Sequence, residues 1–237
     1  MRRVFDFFLD FVFPCRCVSC GDPVLTVMNH LCLKCHSLMR RLDKGCPVCS
    51  GIIYDGNCTI CGNRKFYPAI HYSLFSYEKV SRSVIHSLKF EGMKHVYRIF
   101  IPHICSRIDD FNEKIDIVTS VPMNREKLVK RGYNQSKLLA QGVSRKRGIE
   151  FCELLKEMRN TAQQRSLNYN ERFINVIDRY ETVNNAKIEN KVILLIDDVF
   201  TTGATINECS RKLIMSGAVK VFSITVVRSD LKKLENV

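Results

Sequence analysis

Two parts of the sequence carry residues whose types and spacing could do chemistry. The first is a series of four CxxC pairs within the first 61 residues, namely Cys17/Cys20, Cys32/Cys35, Cys46/Cys49 and Cys58/Cys61. The second is VILLIDDVFTTGAT (192–205), in which an apolar run ends at Asp197 and Asp198 and is followed by small residues and threonines. Paired thiolates bind metal ions, whereas a small-residue turn that opens a helix suits a phosphate group.

The cysteine spacing predicts a structural double zinc ribbon over residues 14–65. A CxxC turn places two sulfur atoms on one side of a zinc ion, and two such turns complete a tetrahedral site. Pairing in chain order predicts two sites, one formed by Cys17, Cys20, Cys32 and Cys35 and the other by Cys46, Cys49, Cys58 and Cys61. Spacing alone also allows pairing of alternate CxxC turns, and Cys15 could replace Cys17. His30 and His36 are further candidate ligands, although an isolated histidine is more often a surface residue.

Composition and charge narrow the class of protein. Apolar residues make up 46% of the 237-residue chain, which excludes wholesale disorder. The 37 Lys and Arg residues exceed the 24 Asp and Glu residues and give a formal charge of +13, which favours polyanionic partners. The sequence contains neither a signal-peptide pattern nor an apolar run long enough for a transmembrane segment. We therefore expect a cytoplasmic protein, in which paired thiols indicate metal more often than disulfides.

The N-terminus predicts a short amphipathic helix over residues 1–13. Phe5, Phe8, Leu9 and Val12 recur at helical spacing. This helix either packs on the body of the protein or lies on the inner face of the cytoplasmic membrane, with Arg2 and Arg3 near anionic headgroups. The sequence leaves both alternatives open.

Residues 66–237 alternate between strand-like and helix-like patterns. Apolar runs predict strands at 71–77, 115–122, 191–200 and 220–228, and helical spacing predicts helices at 80–90, 127–144 and 206–215. This alternation predicts an α/β domain with a parallel sheet and helices on both faces. Ligands of such sheets bind beyond the carboxyl ends of the strands, which points to residues 120–125 and 197–205.

The turn after the apolar run at 192–200 has the chemistry of a sugar-phosphate site. The N-terminus of the following helix offers free backbone N–H groups and a partial positive charge. Gly203 permits close approach of an anion, and the threonine hydroxyls can donate hydrogen bonds. Asp197 and Asp198 would repel a phosphate, so we expect them to face sugar hydroxyls or a magnesium ion.

This turn resembles the phosphoribosyl-pyrophosphate (PRPP) signature of type I phosphoribosyltransferases. Together with the double zinc ribbon, it makes the chain similar to the ComF family of competence proteins. SLKFEG (87–92), VPMNREKLVKRGYNQSKLLA (121–140) and the stretch at 161–176 also resemble the ComF pattern. The resemblance implies a type I phosphoribosyltransferase-like domain over residues 66–237 and a role in DNA uptake during natural transformation.

The resemblance also implies residue roles. Asp197 and Asp198 would bind the ribose hydroxyls and act as the catalytic carboxylates, with Mg²⁺ bridging the diphosphate and the ribose. Residues 161–172 would form a mobile catalytic loop. The other PRPP-binding candidates are those of the 5′-phosphate turn, Thr201, Thr202, Gly203, Ala204 and Thr205, and those of the diphosphate side, Val121, Pro122, Arg125, Arg131 and Lys89.

A basic stretch at 123–147 suggests a second ligand. Eight Lys and Arg residues there face a single acid, Glu126, and Tyr133 could stack on a base. The stretch is either a solvated helix face or a track for single-stranded DNA. Three functions follow: a competence protein that handles incoming single-stranded DNA and contacts the uptake machinery, a salvage phosphoribosyltransferase, or a PRPP-sensing scaffold that does not turn over.

Overall fold

The structure is a computed structural model of the 237-residue chain. It describes residues 15–24, 30–42, 45–51, 53–58, 61–62, 65–158, 176 and 178–229. The predicted N-terminal helix (1–13) and the predicted mobile loop (161–172) lie outside these ranges.

The cysteine-rich segment forms two small hairpins and one short helix. The first hairpin pairs β1 (Cys15–Arg16) with β2 (Pro23–Val24) and is followed by α1 (Leu33–Ser37). The second hairpin pairs β3 (Ile53–Tyr54) with β4 (Asn57–Cys58). Both pairs are antiparallel, and each hairpin carries CxxC cysteines at or next to its strands.

The remaining elements form an α/β body. Its strands are β5 (Ile70–Ser76), β6 (Ile117–Ser120), β7 (Glu150–Phe151), β8 (Leu155–Glu157), β9 (Tyr180–Thr182), β10 (Val192–Phe200) and β11 (Lys220–Arg228). Its α-helices are α2 (Lys79–Phe90), α3 (Ile101–Ile108), α4 (Arg125–Arg131), α5 (Gln135–Arg147) and α6 (Ala204–Met215). Short 3₁₀ helices span Lys94–Ile99, Asp109–Phe111 and Asn185–Lys187.

The central sheet has five strands in the order β5–β11–β10–β6–β7, and every neighbouring pair is parallel. The chain moves outwards from β6 to β7 on one side and from β10 to β11 on the other. The crossovers therefore diverge between β6 and β10, which is where parallel sheets open a crevice for ligands. The predicted fold class, a parallel-sheet domain preceded by two four-cysteine groups, is confirmed.

One predicted helix differs from the structure. The helix expected over 127–144 is divided into α4 and α5 at Gly132, which has a φ of +77° and ends α4. Asn134 then begins α5, because its side chain accepts a hydrogen bond from the Ser136 N–H at 2.9 Å. A glycine in the left-handed region followed by an asparagine cap is a strong local stop and start signal.

The sheet has a separate hydrophobic cluster on each face. Alternate residues of β10 divide between them, with Leu194 and Ile196 in the cluster that contains α2, α3 and α5 residues. Ile193 and Leu195 belong to the other cluster, which contains residues of α6. We call these the α5 face and the α6 face of the sheet.

The two cysteine groups pack on different faces. Cys17 and Cys35 belong to the cluster of the α5 face, whereas Cys46, Cys49 and Cys61 belong to that of the α6 face. The linker between the groups passes along the edge strand β5, where the Leu42 N–H donates to the Leu74 carbonyl at 2.9 Å. The domain boundaries at residues 13 and 65 stay predictions. Among the helices in the described ranges, none is long and apolar enough to cross a membrane.

Candidate functional site

The topology brings the two predicted ligand loops to one place. Residues 121–124 follow β6 and residues 201–203 follow β10, and these strands are hydrogen-bonded neighbours that run in the same direction. The Val121 N–H donates to the Ile196 carbonyl at 3.0 Å, which extends the pairing up to the acid pair. The site therefore lies at the carboxyl edge of the sheet, where the crossovers diverge.

Asp197 is buried and held by two donors. The Ser136 hydroxyl of α5 donates to Asp197 Oδ1 at 2.7 Å, and the Asp198 N–H donates to the same oxygen at 2.9 Å. Burial, followed by the repulsion of the neighbouring Asp198 carboxylate, raises the pKa of Asp197 to about 7. This carboxyl group can therefore hold or release a proton near neutral pH.

Asp198 is paired with a lysine of α2. Lys89 Nζ lies 2.7 Å from Asp198 Oδ2, and the Asp198 side chain is 6% exposed. That oxygen is buried, and the Lys89 ammonium group is the partner that it has among the described residues. Lys89, predicted to contact diphosphate, thus lies against the acid pair in this structure.

The turn after β10 depends on a glycine. Gly203 has a φ of +83°, and a Cβ atom there would lie 2.5 Å from Cζ of Phe200 and 3.0 Å from Cε1 of Phe66. Gly203 begins α6 without a side-chain cap, and the Ala204 N–H donates weakly to Thr202 Oγ1 at 3.3 Å. Because the cap residue is a glycine, it offers no side chain to the backbone N–H groups in the first turn of this twelve-residue helix. A phosphate site requires N–H groups that are available in this way.

The loop after β6 is fixed by α5 and opens into α4. The side-chain amide of Asn134 donates to the Val121 carbonyl at 2.9 Å, and Pro122 is half-buried. Asn124 caps α4 by accepting from the Glu126 N–H at 2.8 Å. Arg125 follows on the exposed first turn of α4, so its side chain is accessible to a ligand.

Arg131 and Tyr133 both contact residues of the helical layer. The Arg131 guanidinium donates to Gln135 Oε1 at 2.6 Å and lies 5.3 Å from the centre of the Phe90 ring. Tyr133 is buried, and its hydroxyl donates to the Leu88 carbonyl. The prediction that Tyr133 stacks on DNA is therefore wrong, because the side chain is buried and its hydroxyl is bound to α2.

The stretch from Arg131 to Ser136 contains two side chains that hold the candidate site and that the sequence did not single out. Asn134 fixes the loop after β6, and Ser136 binds Asp197. Both contacts join residues far apart in the chain, so no local pattern could reveal them. A local signal existed only for the helix boundary, since the string GYNQS places a glycine stop before an asparagine cap.

Each four-cysteine group has the geometry of a tetrahedral metal site. The sulfur atoms within each group lie within 4.8 Å of one another. Individual Sγ–Sγ distances are 3.7 Å for Cys20–Cys32 and 3.4 Å for Cys49–Cys58. Four Zn–S bonds of ~2.3 Å imply sulfur separations of about 3.8 Å, so both groups fit zinc. The grouping follows chain order, and the alternative pairing of alternate CxxC turns is not seen among the described residues.

The candidate competitors of these cysteines lie outside the groups. Cys15 Sγ contacts His30 Nδ1 at 2.8 Å, and His36 Nε2 contacts His103 Nε2 at 3.1 Å. Neither histidine joins a four-cysteine group.

The second cysteine group adjoins the turn at Gly203. Phe66, which follows this group in the chain, packs in the same cluster as Cys58 and Phe200. The Tyr67 N–H donates to Asn207 Oδ1 of α6 at 2.8 Å. The segment that leaves the second group is thereby fastened to the first turn of α6.

Comparison with known proteins bears on function. No family model matches the chain. Competence protein ComFC of Streptococcus pneumoniae is 26% identical over 90% of this chain and 100% of its own length. Competence protein ComFC of Bacillus subtilis is 27% identical over 90% of this chain and 84% of its own. The chain resembles ComFC competence proteins. These relatives confirm the resemblance inferred from the motifs, and they span both the cysteine-rich segment and the α/β body.

The crystal structure of an adenine phosphoribosyltransferase matches 60% of this chain and 74% of its own, with a TM-score of 0.41 and 14% identity.

Proposed function

We propose that this chain is a ComFC-like competence protein that handles incoming single-stranded DNA and binds PRPP with Mg²⁺ at the carboxyl edge of its sheet. The observation that carries the PRPP site is the acid pair at the end of β10 beside the glycine-capped start of α6. Matches to competence proteins along nine tenths of the chain support the DNA-uptake role. We further propose that it acts in the cytoplasm with the DNA-uptake machinery, with peripheral membrane contact through residues 1–13.

In this proposal each part of PRPP meets a matching group. The 5′-phosphate binds the N–H groups of residues 203–205 and the hydroxyls of Thr201, Thr202 and Thr205. Ring hydroxyls donate to Asp197 and Asp198, while the diphosphate lies against Val121, Pro122 and Arg125. Lys89 and Arg131 are further diphosphate candidates, and Lys89 must leave Asp198 to fill that role.

The acid pair also fits the neighbourhood of a divalent cation. Asp198 Oδ2 is buried, and among the described residues its one partner is the Lys89 ammonium group, a cation that Mg²⁺ could replace. Mg²⁺ bound by the diphosphate and ribose oxygens would neutralise the charge of the leaving diphosphate. The two carboxylates would stabilise positive charge that develops at C1 of the ribose. Asp197 would bind the ribose best as a carboxylate, because an ionised oxygen accepts stronger hydrogen bonds.

The two four-cysteine groups would hold structural zinc. All four donors of each group are thiols, so a bound ion has no open position for catalysis. Metal analysis of the full chain should find about two zinc ions under this count of four thiolates per ion.

Calorimetric titration with PRPP and Mg²⁺ tests the site. The D197N/D198N double variant keeps the shape of both side chains but removes their charge. We expect it to lose at least roughly 10-fold in affinity, because hydrogen bonds to charged groups each contribute about 1.5–3 kcal/mol. D109N/D110N is the matched control, since it changes an adjacent exposed acid pair in a 3₁₀ helix of the same body. Unchanged affinity of D197N/D198N would overturn the site assignment.

A further inference from the structure

Phe90 is an exposed aromatic side chain beside the candidate site. It is the last residue of α2, and 67% of it is exposed to solvent. The preceding residue, Lys89, reaches Asp198. Phe90 is thus placed near the edge of the sheet where the acid pair lies.

The Phe90 ring is contacted by one cationic side chain and one aromatic side chain. The Arg131 guanidinium lies 5.3 Å from the ring centre, and the His86 ring lies 5.1 Å from it. Gln135 holds Arg131 through a 2.6 Å hydrogen bond. A single exposed phenylalanine is common, but here a fixed guanidinium orients the ring while most of it stays open.

The surface next to Phe90 is basic and uncompensated. Helix α4 has no buried residue, and Val129 on it is 77% exposed. Arg125, Lys127 and Lys130 are exposed and form no ion pair within the described part of the chain. In α5 of the same stretch, Lys137 pairs with Glu153 and Arg147 pairs with Asp109, whereas Arg145 and Lys146 form no ion pair among the described residues. Three unpaired cations against the single acid Glu126 leave α4 able to bind a polyanion.

We propose that Phe90, backed by Arg131, is a stacking platform for an unpaired nucleobase of a single-stranded nucleic acid, with the cations of α4 contacting its phosphates. The proposal rests on the DNA-handling part of the proposed function and names the surface that performs it. Every base offers a π-face, so an exposed ring beside free cations binds single strands without reading their sequence. Bases stacked within a duplex cannot reach such a ring.

Fluorescence anisotropy with two labelled strands of equal length tests this platform. One strand is oligo-dT, and the other carries the same phosphates on abasic sugars. We expect wild-type protein to prefer oligo-dT, and F90A to lose on the order of 10-fold for oligo-dT while its affinity for the abasic strand is unchanged. F90W should retain the preference. Y54A is the matched control, because Tyr54 is an equally open aromatic residue, 77% exposed, on the second cysteine hairpin.

Two results would overturn the platform. One is an F90A variant that binds both strands like wild type, and the other is wild-type protein that binds both strands equally. Either result would assign the exposed ring to something other than a base, such as contact with a protein. PRPP titration of F90A separates this proposal from the PRPP site. Loss of base preference with normal PRPP binding supports the platform. The platform would also stand if neither wild-type protein nor any variant bound PRPP.

Discussion

The two cysteine groups have the same ligand set and the same CxxC spacing, yet they support different parts of the molecule. The first group packs through Cys17 and Cys35 with Leu74 and Val80 in the cluster of the α5 face. The second packs through Cys46, Cys49 and Cys61 in the cluster that contains Val121 and Phe200, the residues that flank the two ligand loops. Cysteine groups of similar sequence therefore have different neighbours. The first packs against the helical layer of the α5 face, and the second packs against residues beside the candidate site.

Contacts of the second group explain this difference. Phe66 lies against the turn at Gly203, and the Tyr67 N–H is bound by Asn207 in the first turn of α6. The first group instead meets the helical layer, where His36 contacts His103 of α3. We therefore expect metal in the second group to control the shape of the ligand site, and metal in the first to control stability alone.

The largest effect should come from removing one ligand of each group. Cys32 and Cys58 are matched, since each is half-buried and each sulfur accepts an N–H from the cysteine three residues later. C32S and C58S should both lose one zinc ion per chain and melt at lower temperature, because structural zinc binding contributes roughly 10 kcal/mol or more. Only C58S should also weaken PRPP binding. Equal loss of PRPP affinity in both variants, by calorimetry, would break the comparison.

A smaller loss is expected when Gly203 becomes alanine. Both Gly203 and Gly132 have positive φ, but a Cβ at Gly203 would collide with Phe200 and Phe66, whereas nothing lies within 4 Å of one at Gly132. G203A and G132A share a backbone strain of roughly 1–2 kcal/mol. We expect G203A to unfold at lower urea concentration than G132A and to lose PRPP binding. If the two variants had the same urea midpoint and the same PRPP affinity, the contact of Phe66 with the turn at Gly203 would not contribute to the site.

The protonation of Asp197 should make stability depend on pH. Its folded pKa is raised from about 3.8 to about 7, chiefly by burial, so the folded protein binds a proton more tightly than the unfolded chain. This group therefore lowers the free energy of unfolding as pH rises from about 4 to about 7. In urea unfolding at several pH values, the free energy of unfolding of D197N should therefore decline less between pH about 4 and about 7 than that of wild type. A D197N curve parallel to that of wild type would contradict the raised pKa.

The smallest effect should come from replacing Ser136, the residue of α5 whose hydroxyl donates to Asp197. S136A removes the hydrogen bond to Asp197 Oδ1, and leaving a buried acceptor without this donor costs about 1–3 kcal/mol. The same bond lowers the pKa of Asp197, so S136A should raise that pKa further. S144A is the control, because the Ser144 hydroxyl donates to the Ile149 carbonyl at the other end of α5. NMR titration of the Asp197 carboxyl should show the shift in S136A and no shift in S144A.

Much of the fold and part of the site could be predicted from local patterns. The apolar run that ends at Asp197 predicted β10, and the helix predicted from residue 206 begins two residues earlier, at Ala204. The cysteine spacing predicted both four-cysteine groups. These features are local, because a strand, a turn or a CxxC pair is encoded within about ten neighbouring residues.

Contacts between distant residues could not be predicted in this way. The Ser136–Asp197 bond joins residues 61 positions apart, and the Lys89–Asp198 pair depends on how α2 packs beside β10. The burial of Tyr133 likewise follows from packing between helices, although its position in a basic stretch favoured an exposed role. The placement of the cysteine groups on opposite faces depends on the linker along β5, which has no sequence signature.

A structure of the full chain determined with PRPP and Mg²⁺ tests the central claim most directly. We predict the 5′-phosphate within hydrogen-bond distance of the N–H groups at the start of α6, with the ribose hydroxyls on Asp197 and Asp198. PRPP bound elsewhere on the chain, or absent at saturating concentration, would contradict this account.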